Sequence, residues 1–254
     1  MVRQSQETRN RAFFTASFTL HFSQNLGQGK VGFNGFASVE EFFNRWDFDN
    51  DPSNGVNTTD LRFQDERIRQ STGANLGFLE GPQFHPDGSP IPDPQLSGIT
   101  GEFVQLNYTP FISNIINALQ HEGVRVIKYE PDPMSDPLLR GRNDFILFRH
   151  ADIWLMKAEA LHRTQQPGAL NMVNDLRRMR GVPDLNSLTD QALLDERGFE
   201  FYWEGHRRQD LIRFGQFTKG SWTFKEVSED YRKVFPIPQQ IININENLVQ
   251  NPGY

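Results

Sequence analysis

Three runs of sequence decide the fold of this chain: DFILFRHADIWLMKAEALHR (144–163), ALNMVNDLRRMRG (169–181) and TDQALLDERGFEFYWEGHRRQDLIRFG (189–215). In the first run, Ala151, Leu155 and Ala158 recur at steps of three and four residues, which places them on one face of a helix. An apolar stripe of this kind must be buried against a neighbouring element. The three runs therefore predict helices in succession, with the last run as a third helix.

The boundaries between the runs carry helix-stop signals. Pro167 and Gly168 follow the first run, and proline disfavours helical geometry in the residue before it while glycine permits turns. Gly181 and the Val182-Pro183 pair after it are typical of a helix exit. The unit 145–181 is close to one tetratricopeptide period of roughly 34 residues, formed by two antiparallel helices. One such unit cannot bury its own face, so further helices must complete the stack.

Length and composition indicate a folded chain and exclude several classes of partner. With 254 residues and 22 Phe, the chain can bury a substantial core. The net charge of -6 and the absence of Lys/Arg clusters argue against a nucleic-acid partner, which needs a basic surface. The lack of cysteine excludes disulfides and thiolate metal sites. Residues 1–10 lack the apolar core of a signal peptide, which by itself predicts a cytoplasmic protein if Met1 is the native start.

Residues 1–143 are predicted to form a loop-rich region with few short strands. Alternating Phe and polar residues favour an extended segment over 11–20. The glycine-rich run 27–36 is not followed by the helix of a βα unit, so a dinucleotide-binding loop is not favoured. Ser38 and Glu41 stand at capping-box spacing, which predicts a short helix that carries three aromatic residues.

Glycine and proline interrupt the second part of this region. Their density in 71–109 excludes repeating helix or strand there, and loops of such length are usually functional or poorly ordered. Residues 111–119 predict a short apolar helix, and 123–129 predict a strand. The remaining 216–254, proline-restricted and rich in Asn, should lie extended over the helices. The chain is thus divided into a ligand-binding region (1–143), tetratricopeptide-like helices (144–215) and a C-terminal segment (216–254).

The side-chain patterns that could support catalysis are incomplete. Glu159 and His162 have the i, i+3 spacing of carboxylate-bridged di-iron sites, but no second Glu-x-x-His occurs. Glu196, Glu200 and Glu204 recur every four residues of the third helix, as the acids of a glycoside hydrolase could, yet neighbouring arginines make helix-face ion pairs the simpler interpretation. No H-E-x-x-H zinc motif and no nucleophile elbow is present. The sequence predicts a protein that is not an enzyme and has no cofactor or metal site.

A series of short motifs runs through the helices and the C-terminal segment. The motifs are FRHADIWLMKAEA (148–160), Val173-Asn174 with Arg177, Arg180-Gly181, Glu196-Arg197 to Glu200, EGHR (204–207), Asp210-Leu211, RFG (213–215), FPIP (235–238) and NLVQNPGY (247–254), with looser matches at GFNGF (32–36) and DER (65–67). In this order they resemble the latter half of the SusD/RagB family, surface nutrient-binding lipoproteins that work with TonB-dependent outer-membrane transporters. The first half of that family would carry the lipoprotein signal, the anchoring cysteine and the first tetratricopeptide-like helices.

The resemblance implies a mainly α fold, with a partial tetratricopeptide-like stack, a large loop-rich region and few short strands. It implies non-catalytic binding of an oligosaccharide on the outward face of the outer membrane and delivery to a SusC-like transporter. The missing N-terminal half of the protein would be a further partner. The alternatives are a peptide-binding uptake component and a cytosolic tetratricopeptide-like adaptor that binds other proteins.

The resemblance also separates scaffold from ligand site. The motif residues are expected to bond helix ends and loops to one another and not to touch ligand: Arg149, Asp152, Glu159, Glu200, Glu204, Arg207 and Asp210. Ligand recognition in the family lies on variable loops, where aromatic rings meet sugar faces and polar groups bond hydroxyls. The candidate ligand-binding residues are Trp46, Phe33, Asn34, Phe36, Arg45 and Tyr108. For Trp46, a place in the core is at least as compatible with the sequence.

Overall fold

The structure, a computed structural model, describes residues 2–3, 18–24, 32–47, 55–65, 75–129 and 145–254. Its helices are α1 (Glu40–Asn44), α2 (Pro94–Thr100), α3 (His150–Arg163), α4 (Ala169–Met179), α5 (Asp190–Phe201), α6 (Arg207–Arg213) and α7 (Gln239–Ile244), with a 3-10 helix at Asp230–Lys233. Its strands are β1 (Val2–Arg3), β2 (Gln64–Asp65), β3 (Leu76–Leu79), β4 (Gly81–Pro82), β5 (Asn107–Tyr108), β6 (Arg125–Ile127) and β7 (Phe145–Ile146). The predicted mainly α fold with few short strands is confirmed.

Helices α3 to α5 pack together along the apolar stripes that their periodicity predicts. Leu155 of α3, Val173 of α4 and Leu193 of α5 are fully buried in one cluster. The indole nitrogen of Trp154 also donates a hydrogen bond to the carbonyl of Met172 (2.8 Å), which ties α3 to α4. Within the part of the chain that the structure describes, no helix has the length and apolar character needed to cross a membrane.

The run 189–215 forms two helices, α5 and α6, which corrects the prediction of one continuous third helix. The Thr189 side chain caps the start of α5 by accepting from the Ala192 N–H (3.1 Å). After Phe201 the backbone turns through Trp203 (φ 59°) and Gly205 (φ 82°), conformations that a helix does not contain. Glu204 therefore lies in the turn between α5 and α6, and not on one helix with Glu196 and Glu200.

A small antiparallel sheet, ordered β2-β3-β6, supports an aromatic core in the loop-rich region. In this sheet Gly77 pairs with both Gln64 and Ile127. The predicted strand over 123–129 and the predicted short helix after Ser38 are both confirmed. The core rings are Phe43, Trp46, Phe63, Phe78 and Tyr202, with Phe42 and Phe199 packed against them. Because Phe199 and Tyr202 belong to the run 189–215, this core is shared by the predicted ligand-binding region (1–143) and the predicted helical region (144–215). The division of the chain at 143 and 215 stays a prediction.

The capping box at the start of α1 does not form. The Ser38 N–H instead donates to the carbonyl of Val124 (2.9 Å), in an isolated bridge to the segment before β6. The Glu41 carboxylate accepts from the backbone N–H of Thr223 (2.7 Å) and from its hydroxyl. Both residues are thus used in contacts between distant parts of the chain, which local spacing does not reveal.

Two local predictions before α3 are wrong for identifiable reasons. Regular structure does occur within 71–109, since this range contains α2. The Asp93 side chain caps the start of α2 by accepting from the Leu96 N–H (2.9 Å). The predicted helix over 111–119 is replaced by a turn, because the Asn114 side chain accepts from the Ile116 N–H (2.7 Å) and competes with helical bonding. Residues 18 and 19 are helical and not extended, while 11–17 lie outside the described residues.

The C-terminal segment attaches to α6 and folds on itself. Arg208 donates to the carbonyls of Arg232 (3.2 Å) and Lys233 (3.1 Å), which holds the 3-10 helix beside α6. The amide of Gln250 bonds both the N–H and the carbonyl of Ile237, at 2.8 Å each, and so folds the end of the chain back. Helix α7 within this segment was not predicted from its Asn-rich composition.

Candidate functional site

Glu200 of α5 is the centre of a buried ion-pair network. Its side chain is 1% exposed and accepts from Arg180 (Nη2 to Oε1, 2.7 Å), Arg62 (Nη1 to Oε2, 3.0 Å) and Arg149. Burial alone would raise the pKa of this carboxyl, but the three guanidiniums hold the pKa of Glu200 well below its usual range. Glu204, in the next turn, accepts from Arg149 Nε (2.8 Å). The network joins α3, α4 and α5 to the segment before β2, so these motif residues bond helix ends and loops to one another as expected. That they do not touch ligand stays a prediction.

A second network surrounds Arg197, on the neighbouring face of α5. Arg197 donates from Nε to Asp210 Oδ1 (3.0 Å) and from Nη2 to Asp152 Oδ1 (3.2 Å). Arg213 donates to Asp210 (2.7 Å) and to Glu159 (Nε to Oε1, 2.7 Å). These bonds link α3, α5 and α6, so the motif carboxylates Asp152, Glu159 and Asp210 also hold helices together.

The residues considered above for metal or acid chemistry have other partners in the structure. Glu196 accepts from Arg62 (2.7 Å) and Arg177 (2.8 Å), as helix-packing pairs do. His162 contacts Asp190 through Nε2 (2.8 Å), so it does not share a ligand site with Glu159. In the described ranges, no group of three or more His, Asp or Glu side chains is placed to hold a metal ion.

A cavity of about 420 Å³ opens between α1, α5, α6 and the loop 216–222. Its walls include the rings of Phe42, Trp203 and Trp222. The exposed polar side chains beside these rings are those of Gln191, Gln216 and Ser221. The lining also includes charged side chains, among them Glu41, Arg45 and Arg207. A mostly apolar concavity with a few polar groups is the usual form of a small-molecule site.

Exposed aromatic rings extend the cavity towards the segment 32–36. The Phe36 ring lies against Trp203 at 6.3 Å between centroids, in an edge-to-face arrangement. Phe18 then contacts both Phe33 and Phe36, each at 5.8 Å. Trp203 holds a left-handed backbone (φ 59°), a conformation that is uncommon for bulky residues and often found at functional sites.

The structure places the six sequence-predicted ligand residues in four kinds of environment. Arg45 lines the cavity, and half-exposed Phe33 and Phe36 form the aromatic extension. The Asn34 side chain accepts from Arg125 (Nη2 to Oδ1, 2.8 Å) and donates to the Gln120 carbonyl (3.1 Å), so its amide is engaged inside the protein.

Trp46 and Tyr108 are 1% exposed each, in two separate core clusters. Neither of these two rings offers a face to a ligand in this structure, so for Trp46 the structure shows the core position. Ligand binding by the remaining predicted residues stays a prediction.

Sequence reasoning missed the two tryptophans that line the cavity. Trp203 stands inside a run interpreted as helix, and Trp222 lies in the C-terminal segment that is predicted to be extended. A signal was present for Trp222, which stands between Ser221 and Thr223, whereas Trp203 follows Phe201 and Tyr202 and has no such signal. Their convergence depends on the turn after α5 and on the loop after α6, which periodicity does not encode.

Comparisons with known proteins place these observations in a family. A model described as the SusD family matches residues 113–254. The starch-binding protein SusD of Bacteroides thetaiotaomicron is 43% identical over 121 residues, which are 44% of this chain and 22% of that protein. The SusD-like protein P38 of Formosa agariphila is 33% identical over 149 residues, which are 53% of this chain and 29% of that protein.

The fold as a whole has a counterpart among solved structures. A SusD superfamily protein from Parabacteroides distasonis superposes with a TM-score of 0.62 at 17% identity, covering all of this chain and 49% of that one. This likeness shows a shared fold, and the chain spans about half the length of that relative. Because the family model covers more than half of the sequence, including every helix from α3 onward, the chain belongs to the SusD family.

Proposed function

We propose that this chain binds an oligosaccharide in the cavity between α1, α5 and the loop 216–222 and does not transform it. The carrying observation is the meeting of Trp203 and Trp222 with exposed amide and charged groups in one concavity. The apolar C–H faces of a sugar pack on such rings, while amides and charges bond its hydroxyls. The similarity to the starch-binding protein SusD supports a carbohydrate as the ligand.

The carboxylates of the cavity support binding without hydrolysis. A glycosidase needs one carboxylic acid whose pKa is raised, so that it can protonate the leaving oxygen. The slight burial of Glu41 would raise its pKa, but hydrogen bonds from Thr223 outweigh this and lower the pKa of Glu41. Asp210 is held by Arg197 (3.0 Å) and Arg213 (2.7 Å). Glu41 therefore lacks the raised pKa of a general acid, and Asp210 is engaged in ion pairs that hold helices together.

Calorimetric titration with neutral oligosaccharides, followed in parallel by tryptophan fluorescence, tests this proposal. Trp222→Ala should weaken binding about tenfold, which corresponds to ~1.4 kcal/mol and to the loss of one stacked ring. Trp203→Asn should act similarly, and asparagine tolerates the left-handed backbone at that position. Trp154→Phe, which removes a tryptophan outside the cavity, is the matched control and should leave binding unchanged.

Two results would refute the proposal. Failure of the folded protein to bind any neutral or acidic oligosaccharide, together with binding of peptides, would replace glycan by peptide as the cargo. Turnover of a bound oligosaccharide that is lost in Glu41→Gln would instead reveal an enzyme.

The same proposal includes a place and two partners for the chain. It would act on the outward face of the outer membrane and deliver its ligand to a SusC-like, TonB-dependent transporter. The second partner is a segment equivalent to the other half of the solved relative, for which α3 offers exposed Ile153 and Met156 on one face. Cross-linking in intact cells from a cysteine introduced at Ile153 should capture that segment, and protease treatment of intact cells should cleave a surface-facing chain.

A further inference from the structure

The charged groups of the cavity are unevenly balanced. Arg45, Arg197 and Arg207 line it, against two carboxylates, Glu41 and Asp210. Both oxygens of Glu41 already accept hydrogen bonds from the Thr223 hydroxyl, at 2.8 Å each. Asp210 is engaged by Arg197 and Arg213, and the arginines of the wall outnumber its carboxylates by one.

Arg207 is the guanidinium of the cavity with the least compensation, and its position in the cavity wall departs from the purely scaffolding role that the resemblance implies. Its Nη1 donates to the backbone carbonyl of Leu194 (2.8 Å), and no carboxylate among the described residues forms an ion pair with it. Burial lowers the pKa of Arg207, and the nearby positive charge of Arg45 adds to this, while the carboxylates of Asp195 and Asp210 act in the opposite direction without reversing it. A partly buried guanidinium that lacks a carboxylate partner can form a charge-assisted hydrogen bond with an incoming anion.

Gly198 makes room for this guanidinium on the surface of α5. A Cβ at this position would lie 2.9 Å from Arg207 Nη1 and 3.3 Å from the Phe42 ring. The side chain thus lies flat against the helix at the cavity wall. An alanine at this position would displace it without any change in charge.

Arg197 lies deeper in the wall and is engaged by its own carboxylates. Its side chain is 2% exposed, and two of its nitrogens donate to Asp210 and Asp152. Its Nη1 has no hydrogen-bond partner among the residues that the structure describes, but this atom is buried, and Asp152 and Asp210 each keep one buried oxygen without a partner as well. The charge of Arg197 is therefore balanced inside the protein, and Arg197 is not a direct contact for a ligand in the cavity.

Arg45 can supply a second contact at the mouth of the cavity. It forms an ion pair with Asp195, and both side chains are partly exposed. Exposed pairs of this kind are weak and exchange readily for another anion.

We propose that the cavity selects glycans that carry an anionic group, a carboxylate or a sulfate ester on a sugar ring, which Arg207 and Arg45 bind. This inference rests on the proposed glycan-binding function and names the class of sugar. The aromatic rings of the cavity would hold the ring faces, and the arginines would read the charge.

Titration of the full chain with three probes of equal ring number tests the inference: a galacturonate trisaccharide, a sulfated galactose trisaccharide and neutral maltotriose. At least one anionic probe should bind about tenfold more tightly than maltotriose, as expected for a hydrogen bond between charged groups. That preference should shrink as the salt concentration rises from about 50 to about 500 mM, because salt screens the attraction between charged groups. The two anionic arms separate carboxylate from sulfate recognition.

Variants locate the charge preference. Arg45→Gln and Gly198→Ala should each reduce the preference for the anionic probe severalfold, the second without altering net charge. Arg178→Gln on α4, which removes an exposed arginine outside the cavity, should leave the preference unchanged. Far-ultraviolet circular dichroism and the melting temperature establish that each variant is folded.

The results separate this inference from the function on which it rests. Equal or tighter binding of maltotriose overturns the anion preference and leaves glycan binding intact. An anion preference that survives both cavity variants, or that falls equally in Arg178→Gln, overturns the site. Absence of binding by all three probes overturns both proposals.

Discussion

The buried network around Glu200 yields the sharpest prediction for the fold. Replacing Glu200 by glutamine removes one negative charge and turns one acceptor oxygen into a donor. In the structure, Oε1 accepts from Arg180 (2.7 Å) and Arg149, and Oε2 accepts from Arg62 (3.0 Å) and Arg180 (3.1 Å). Whichever oxygen is replaced, two donors lose their acceptor and face an N–H group.

The expected cost of Glu200→Gln is ~3–5 kcal/mol of unfolding free energy, the range for breaking a buried ion pair from one side. Urea denaturation at pH 7, with the slope of the transition unchanged, measures it. Asp175→Asn is the matched control, because its pair with Arg178 (2.9 Å) is half-exposed and should contribute about 1 kcal/mol or less.

The pH dependence of the same variant checks the cause. Since the folded-state pKa of Glu200 is depressed, its contribution is complete above the unfolded pKa of about 4.3 and is lost as pH falls towards the folded pKa. The stability difference between the two proteins should therefore be constant from pH 7 to 5 and shrink below pH 4. A difference under about 1 kcal/mol at pH 7 would refute the assignment of Glu200 as the centre of the network.

Three further predictions concern single positions in the loop-rich region. Gly77→Ala should lower the melting temperature by about 10 °C or more, on the order expected for a loss of several kcal/mol of stability. The reason is that Gly77 has a φ of 94° and that the new Cβ would lie 1.9 Å from the Phe63 carbonyl oxygen. A thermal melting curve measures the change. Burial lowers the pKa of Lys128 to about 8, although the neighbouring Glu204 acts in the opposite direction. Between about pH 8 and 9.5 the unfolded chain therefore binds more protons than the folded chain. The free energy of unfolding should rise over this range by about 1 kcal/mol per pH unit relative to that of Lys128→Met. Asp93→Ala should cost about 1 kcal/mol in urea denaturation through loss of the α2 cap, and Asp93→Asn should restore most of it.

Part of the candidate site could be predicted from sequence, and the failures have a common physical cause. Phe36 lies in the glycine-rich run 27–36 and Arg45 in the predicted short helix, and both were named as ligand candidates because the resemblance places aromatic and charged recognition groups outside the helical stack. Trp46 stands next to Arg45 in the sequence, yet its ring packs on Phe63 and Phe78, at 5.7 and 5.4 Å. Which of these side chains faces outward depends on a sheet built from segments more than sixty residues apart.

Local competition explains the other errors. The segment 111–119 has an apolar composition suited to a helix, but the Asn114 side chain and Glu122, which accepts from the Ser113 N–H (2.7 Å), take the backbone donors that a helix would use. Conversely, α2 forms inside a proline-rich stretch because Pro94 occupies the first helical position, where no N–H is required.

By itself, the sequence determined the helices α3 and α4, the start of α5, their apolar stripes and the family, because 3.6-residue periodicity and motif order are local properties of the chain. Only the tertiary structure decided that Glu204 leaves α5 to meet Arg149, that Trp46 is core, and that Trp203 and Trp222 face one cavity with three arginines. These outcomes follow from contacts between residues distant in sequence. Such contacts are selected by burial and charge pairing in the folded chain, and spacing along the sequence does not record them.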